Sequence, residues 1–98
     1  MNKNIAIDYD DTLSLNILMW EKIIELFKSF GFNIYVVTYR DSSQFGDIYK
    51  FNSIKDYIYT SGKAKKTYCK DMGIKIDIWI DDCPESIIYD YRELLKVL

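Results

Sequence analysis

Four oxygen-bearing side chains stand together near the N-terminus: Asp8, Asp10, Asp11 and Thr12 directly follow the apolar stretch Ile5-Ala6-Ile7. A second acidic pair, Asp81-Asp82, follows Ile78-Trp79-Ile80. Between them lie Thr38, Arg40 and Asp41 after the β-branched run ending at Val37, and three closely spaced lysines, Lys63, Lys65 and Lys66. Carboxylates gathered in one place raise one another's pKa unless a cation compensates them. A hard divalent ion, Mg²⁺ above all, does so with oxygen ligands and keeps positions open for substrate. A lysine and a hydroxyl beside such a centre are anion clamps, and the anion that fits metal, lysine and hydroxyl together is phosphate. The chain contains no histidine. That removes Ser-His-Asp and Cys-His catalysis and any histidine-ligated zinc. Cys69 and Cys83 form neither a disulfide framework nor a CxxC pair.

These residues act together only if the fold gathers them, and the hydropathy pattern says how. Lys3–Ile7 reads as a short buried strand closed by acids. From Asn16, apolar residues recur every three or four positions (Ile17, Trp20, Ile24, Phe27, Phe30), widened by Leu18, Ile23 and Leu26, which predicts a helix stopped at Gly31. Residues 33–38 are a second strand. Ile48, Phe51 and Ile54 show weak helical spacing that Gly46 interrupts. Asp56–Thr60 reads as a third strand, Lys63–Met72 as a helix closed by Gly73, and Lys75–Ile80 as a fourth, alternating strand. Pro84 opens a last helix with the stripe Ile87, Tyr91, Leu94, Leu95 and Leu98. Strands alternating with helices predict a parallel sheet with right-handed crossovers and helices on both faces. Ligands of such sheets bind beyond the carboxyl ends of the strands, which is where all the residues above fall.

At 98 residues the chain is one domain, residues 1–98, with a small core. Its hydrophobic fraction of 49% suits a globular fold, and its net charge of -2 gives no strong pull toward nucleic acid or an anionic membrane. No apolar run approaches the length of a membrane span. Met1-Asn2-Lys3-Asn4 runs straight into the first strand without a signal peptide, so a cytoplasmic protein is expected.

Asp8-Tyr9-Asp10-Asp11-Thr12 after an apolar strand resembles DxDxT, the first motif of the haloacid dehalogenase superfamily. Thr38 is similar to the second motif, a Ser/Thr closing the next strand. Lys65 is similar to the third, a lysine at the start of the helix before the last motif, and is preferred to Lys63 and Lys66 because it shares a helix face with Cys69. Asp81-Asp82 resembles the acidic fourth motif. Pattern and resemblance together predict an α/β fold, a Rossmann-like three-layer sandwich with a four-stranded parallel sheet in the order 3-2-1-4 and no cap domain. The resemblance implies a Mg²⁺-dependent phosphatase. Asp8 would be the nucleophile, forming an aspartyl-phosphate, and Asp10 the general acid and base. Thr12 would orient Asp10 and the loop. Thr38 and Lys65 would bind phosphoryl oxygens, with Arg40 a further substrate contact. Asp8, the backbone carbonyl of Asp10, Asp81 and Asp82 would hold the metal. The segment after Asp8 leaves only a minimal flap, which resembles the capless group, with an open site that a second copy of the chain or a large substrate could cover. Substrates in view are a phosphorylated small molecule, a nucleotide or a nucleic-acid end.

Plainer readings of the same residues are an acidic turn at Asp8–Asp10, an N-cap for the last helix from Asp82 or Cys83, a surface ion pair between Arg40 and Asp41, and local packing of Tyr9 and Tyr39. Trp20, Trp79 and Cys69 read as core. Two other functions use the same fold. A catalytically weak nucleotide- or metal-binding module is one. A response-regulator-like phosphoacceptor is the other, but it needs a carboxylate after the third strand, which here ends Tyr59-Thr60-Ser61, and a fifth strand.

Overall fold

A computed structural model describes residues 2–43 and 48–97. It contains a four-stranded sheet in the order β3-β2-β1-β4, all strands parallel. The strands are β1 (Asn4–Ile7), β2 (Asn33–Thr38), β3 (Asp56–Tyr59) and β4 (Ile78–Ile80). The helices are α1 (Ile17–Ser29), α2 (Lys65–Asp71), α3 (Glu85–Ile88) and α4 (Tyr91–Val97), with a 3₁₀ turn at Leu13–Leu15 between β1 and α1. The α/β class and the strand order agree with expectation.

The period of two along the central strands explains the layers. Ile5, Ile7, Ile34 and Val36 point to one face and pack with Leu13 and Ile24 of the β1–α1 segment. Ala6, Tyr35 and Val37 point to the other and pack with Ile58 and with Cys69 of α2. Each fully buried aliphatic side chain contributes about 1.5–3 kcal/mol of transfer free energy, so the two inner strands, apolar on both faces, anchor the sheet. Parallel register sets Ile5 beside Ile34 and Ile78, and Ile7 beside Val36 and Ile80. The tips of β1 and β4 are thereby level, and the Asp8 N–H extends that pairing by donating to Ile80 O at 2.9 Å.

Helix α1 begins as the pattern predicts: the Asn16 side chain accepts from Met19 N at 3.0 Å. The connections from α1 and α2 back into the sheet both turn at a glycine, with Phe32 N donating to Phe27 O after α1 and Ile74 N to Cys69 O after α2. Four expectations are corrected. The apolar stripe of α1 is too wide, since Leu18, Leu26 and Phe30 are exposed while Ile17, Trp20, Ile24 and Phe27 pack inward. Strand β4 starts at Ile78, not Lys75, because Asn4 takes over the pairing there: its backbone N–H donates to Asp77 Oδ2 and its amide to Lys75 O. Ile48 and Phe51 are buried against the β1 face, but residues 48–55 form no helix; Gly46 lies outside the described residues. The last helix is two, broken at Tyr89, whose backbone is extended (ψ 146°). The break is held by long-range bonds: the Tyr39 hydroxyl donates to Tyr89 O, Ala64 N donates to Asp90 Oδ1 at 2.7 Å, and Tyr91 N donates to Gly62 O at 2.7 Å. Leu98 lies outside the described residues.

Candidate functional site

The loop after β1 folds back on itself, with Leu13 N donating to Asp8 O and Ser14 N to Tyr9 O. Asp11 sits at positive φ (59°), a conformation aspartate tolerates better than most residues, and its N–H is taken by Ser14 Oγ at 3.0 Å. This tight turn keeps Asp8 and Thr12 inside, both 7% exposed. The Thr12 hydroxyl lies 3.4 Å from Asp8 Oδ2 and 3.3 Å from Asp82 Oδ1, so it bridges the first acidic segment to the second.

Lys65 stands at the start of α2, one turn before Cys69, and both are buried on the same helix face. Its ammonium donates to Asp8 Oδ1 at 2.9 Å and to Asp81 Oδ2 at 2.6 Å. All three side chains are almost sealed from solvent: 2% exposed for Lys65, 7% for Asp8 and 2% for Asp81. Lys63 and Lys66 are exposed. Asp81 is further fixed by Cys83 N at 2.9 Å and by the buried Ser86 hydroxyl at 3.1 Å. The N-cap role read for Asp82 or Cys83 is corrected, since α3 begins after Pro84 with no side-chain cap, while the Asp81 carboxylate serves its own loop and Lys65. Ser86 escaped sequence reading because a serine in a helical first turn has no distinguishing spacing.

Carboxylate oxygens of Asp8, Asp81 and Asp82 all lie within 4.8 Å of one another, so this group could hold a metal ion. An all-carboxylate donor set of this kind suits a hard, oxygen-preferring cation such as Mg²⁺. The charge balance fits too. Three ionised carboxylates against one ammonium leave two negative charges, the amount a divalent cation neutralises. Burial pushes the Asp8 carboxyl up from its ordinary value of 3.8 to about 7; the Lys65 charge opposes this, and Asp81 and Asp82 add to it. A cation at the group would work in the same direction as Lys65 and favour the ionised carboxylate.

Asp10 is placed differently. Its carboxylate lies outside the group of three and is held in a two-pronged ion pair by Arg40, Nε to Oδ2 at 2.9 Å and NH2 to Oδ1 at 2.7 Å. The expected pairing of Arg40 with Asp41 is therefore corrected: Asp41 instead accepts from Ser43 and Ser61. Arg40 also lies over the Tyr9 ring, 5.4 Å from its centroid. Thr38, 1% exposed, ends β2 with its hydroxyl accepting from Arg40 N at 3.2 Å. It orients the turn that carries Arg40 toward Asp10. Tyr9 and Tyr39 pack locally. The Tyr9 hydroxyl accepts from Tyr49 N, while the Tyr39 ring lies 5.5 Å from the Lys65 ammonium and its hydroxyl, half-buried and raised to about pKa 12 by desolvation, is bound to Tyr89 O. Cys83 is no activated thiol, since desolvation raises its pKa.

The arrangement combines an acid cluster that could hold a cation, buried at Asp8 and open to solvent at Asp82, with the Arg40-paired Asp10 beside it, both at the carboxyl edge of a parallel sheet. No helix of the described residues is long and apolar enough to cross a membrane. Comparison with known proteins finds no matching family model, no matching curated protein and no matching solved structure.

Proposed function

We propose that this protein is a Mg²⁺-dependent phosphomonoester hydrolase of the haloacid dehalogenase type, acting through an aspartyl-phosphate on Asp8. The observation that carries the reading is the Asp8–Lys65–Asp81 cluster with Asp82 alongside: a nucleophile-bearing acid group, underneutralised by two charges, with a single lysine buried in it. Asp8, Asp81 and Asp82 would hold the cation, which when bound supplies charge neutralisation for the phosphoryl oxygens.

The residues then divide the work. A carboxylate oxygen of Asp8 bonds to phosphorus as the ester P–O bond breaks in line. Asp10 gives its proton to the departing alkoxide oxygen. A water enters, Asp10 takes a proton from it, and the water oxygen bonds to phosphorus as the Asp8–phosphorus linkage breaks, releasing phosphate and restoring the Asp8 carboxylate and the protonated Asp10. Lys65 balances charge at Asp8 throughout, and Thr12 keeps the two acidic segments in register. Little covalent machinery is required, because phosphoryl transfer is served chiefly by positioning and charge compensation.

The test is release of phosphate from an aryl phosphate by the purified protein with Mg²⁺. The expected outcome is turnover that disappears with EDTA and falls by about 10³-fold or more in Asp8→Asn. Turnover that survives either treatment overturns the assignment. A second reading, a metal-binding module with little or no turnover, is favoured by one observation: the Arg40 clamp on Asp10 must open before Asp10 can exchange protons with a substrate. Binding of Mg²⁺ without phosphate release from any ester identifies that case.

A further inference from the structure

Beside Asp10 and Arg40 the surface opens into a cleft of about 1060 Å³. One wall is the β3–α2 loop at Ser61–Lys63; the other is the α3–α4 bend and the start of α4, Asp90–Glu93. The two walls are fastened to each other rather than merely adjacent. Tyr91 N donates to Gly62 O, Gly62 N donates to Tyr39 O at 2.9 Å, and Ala64 N donates to Asp90 Oδ1. Gly62 has φ +80°, and a Cβ there would meet Tyr91 Cβ at 3.3 Å, so the close approach of the walls depends on this glycine. The cleft is therefore preformed, and it starts where the proposed leaving-group acid, Asp10, ends.

The polar groups lining it are unequally committed. Each of its acids is already occupied: Asp10 by Arg40, Asp90 by Ala64 N, and Glu93 by Asp90 N at 3.2 Å. Two of its cations are not. Among the described residues neither the Lys63 ammonium nor the Arg92 guanidinium takes part in an ion pair or side-chain hydrogen bond. The Tyr91 ring, 52% exposed and set edge-on to Tyr39, adds an aromatic face at the same mouth. Open cations next to an exposed ring suit a ligand that joins an anionic group to a planar one. The phosphate to be hydrolysed is already provided for by the acid cluster and Lys65, so Lys63 and Arg92 address a different anion.

We propose that this cleft holds a nucleotide unit carrying a second phosphate besides the one presented to Asp8, with Lys63 and Arg92 on the second phosphate and Tyr91 against the base. The proposal rests on the phosphatase reading for the orientation of the ligand. The second phosphate has two sources, a nucleoside 3′,5′-bisphosphate or the next linkage of a 5′-phosphorylated oligonucleotide.

The experiment compares kcat/KM, with Mg²⁺, for a nucleoside 5′-monophosphate, the matching 3′,5′-bisphosphate and a 5′-phosphorylated dinucleotide, in the wild type and in the Lys63→Gln/Arg92→Gln double variant. The expected result is a preference of about tenfold or more for at least one ligand with a second phosphate, the better of the two naming the source, and its collapse to about twofold or less in the variant. A monophosphate used as well as both others, or a preference that persists in the variant, overturns the proposal. If no ester, aryl phosphate included, is turned over, the phosphatase reading falls by itself. Titration calorimetry with the same three ligands then decides the cleft on the same ratios.

Discussion

Two ion pairs lie a few residues apart at the same edge of the sheet, and they differ in almost every physical respect. Lys65 with Asp8 and Asp81 is sealed, at 2–7% side-chain exposure. Arg40 with Asp10 is open, with the Asp10 side chain 49% exposed and Arg40 21%. A buried pair carries a desolvation cost that its mutual attraction only partly offsets, and it punishes the loss of one partner heavily. An exposed pair is screened by water and salt and is worth little either way. The proposed function would divide labour accordingly: the sealed cluster would fix geometry and charge at the proposed nucleophile, and the open pair could part when a leaving group needs a proton.

The largest effect expected from breaking this contrast is at Lys65. Lys65→Met removes the one cation that pairs with Asp8 and Asp81 among the described residues and leaves both acids uncompensated. Without metal at pH 8, stability falls by about 3–5 kcal/mol, the usual cost of breaking a buried pair. Thermal denaturation should show the loss shrinking as pH falls through about 7, where Asp8 protonates, and shrinking again with millimolar Mg²⁺. A Tm within a degree or two of wild type at pH 8 in EDTA contradicts the assignment of Lys65 as the charge balance of the site.

Asp8 provides the next largest effect, and its sign is opposite to that of an ordinary salt-bridged aspartate. Its folded value, about 7, lies above the 3.8 of the exposed group, so the folded chain holds this proton more tightly than the unfolded chain. Asp8 therefore contributes stability that is fully present below about pH 4 and is lost as pH rises through about 7, by up to about 4 kcal/mol. Asp8→Asn has no such titration and keeps an oxygen for Lys65. In EDTA the variant should gain on wild type steadily from pH 4 to pH 8, the gap closing when Mg²⁺ is added to wild type. Chemical denaturation at several pH values measures it, and a gap that stays constant over that range contradicts the burial-raised proton on Asp8. The same substitution removes the proposed nucleophile, so stability and turnover move in opposite directions.

The contrast also explains what the sequence reveals and what it hides. Placement of the acids follows from local signals: apolar runs of three or four residues ended by Asp8 and Asp81, a period of two in Ile34–Val37, and glycines stopping α1 and α2. Lys65 could be singled out from its neighbours because it shares a helix face with Cys69, and burial of that face carries the ammonium to the acids. Arg40 gives no such sign. Its neighbour Asp41 is the local partner, and only the return of the β1 loop toward the tip of β2 substitutes Asp10, thirty positions away. The split between α3 and α4 is equally silent, because the bonds that open it come from Tyr39, Gly62 and Ala64 on other elements, while residues 84–97 alone have the periodicity of one helix. Local periodicity reports what an element is; partners supplied by the other loops at the sheet edge decide where it breaks.

The smallest expected effect, and the most telling about mechanism, is at Arg40. Arg40→Gln severs an ion pair that is half in water, so stability should change by no more than about 1 kcal/mol, or a few degrees in Tm for a chain of this size. The effect on turnover separates two roles for the same guanidinium. If Arg40 only restrains Asp10, its removal frees the carboxylate, and kcat with an aryl phosphate holds or rises while its dependence on salt weakens, since salt no longer has a pair to loosen. If Arg40 also holds Asp10 in line with the departing oxygen, kcat falls by about tenfold with little change in KM, and Arg40→Lys recovers only part of the loss, because a single ammonium cannot reproduce the two-pronged hold on both carboxylate oxygens. Either pattern keeps the open pair distinct from the sealed one. A loss of stability as large as that of Lys65→Met erases the distinction, since the Arg40–Asp10 pair would then behave as a buried structural link, and Asp10 could not be the group that parts from its partner to move a proton.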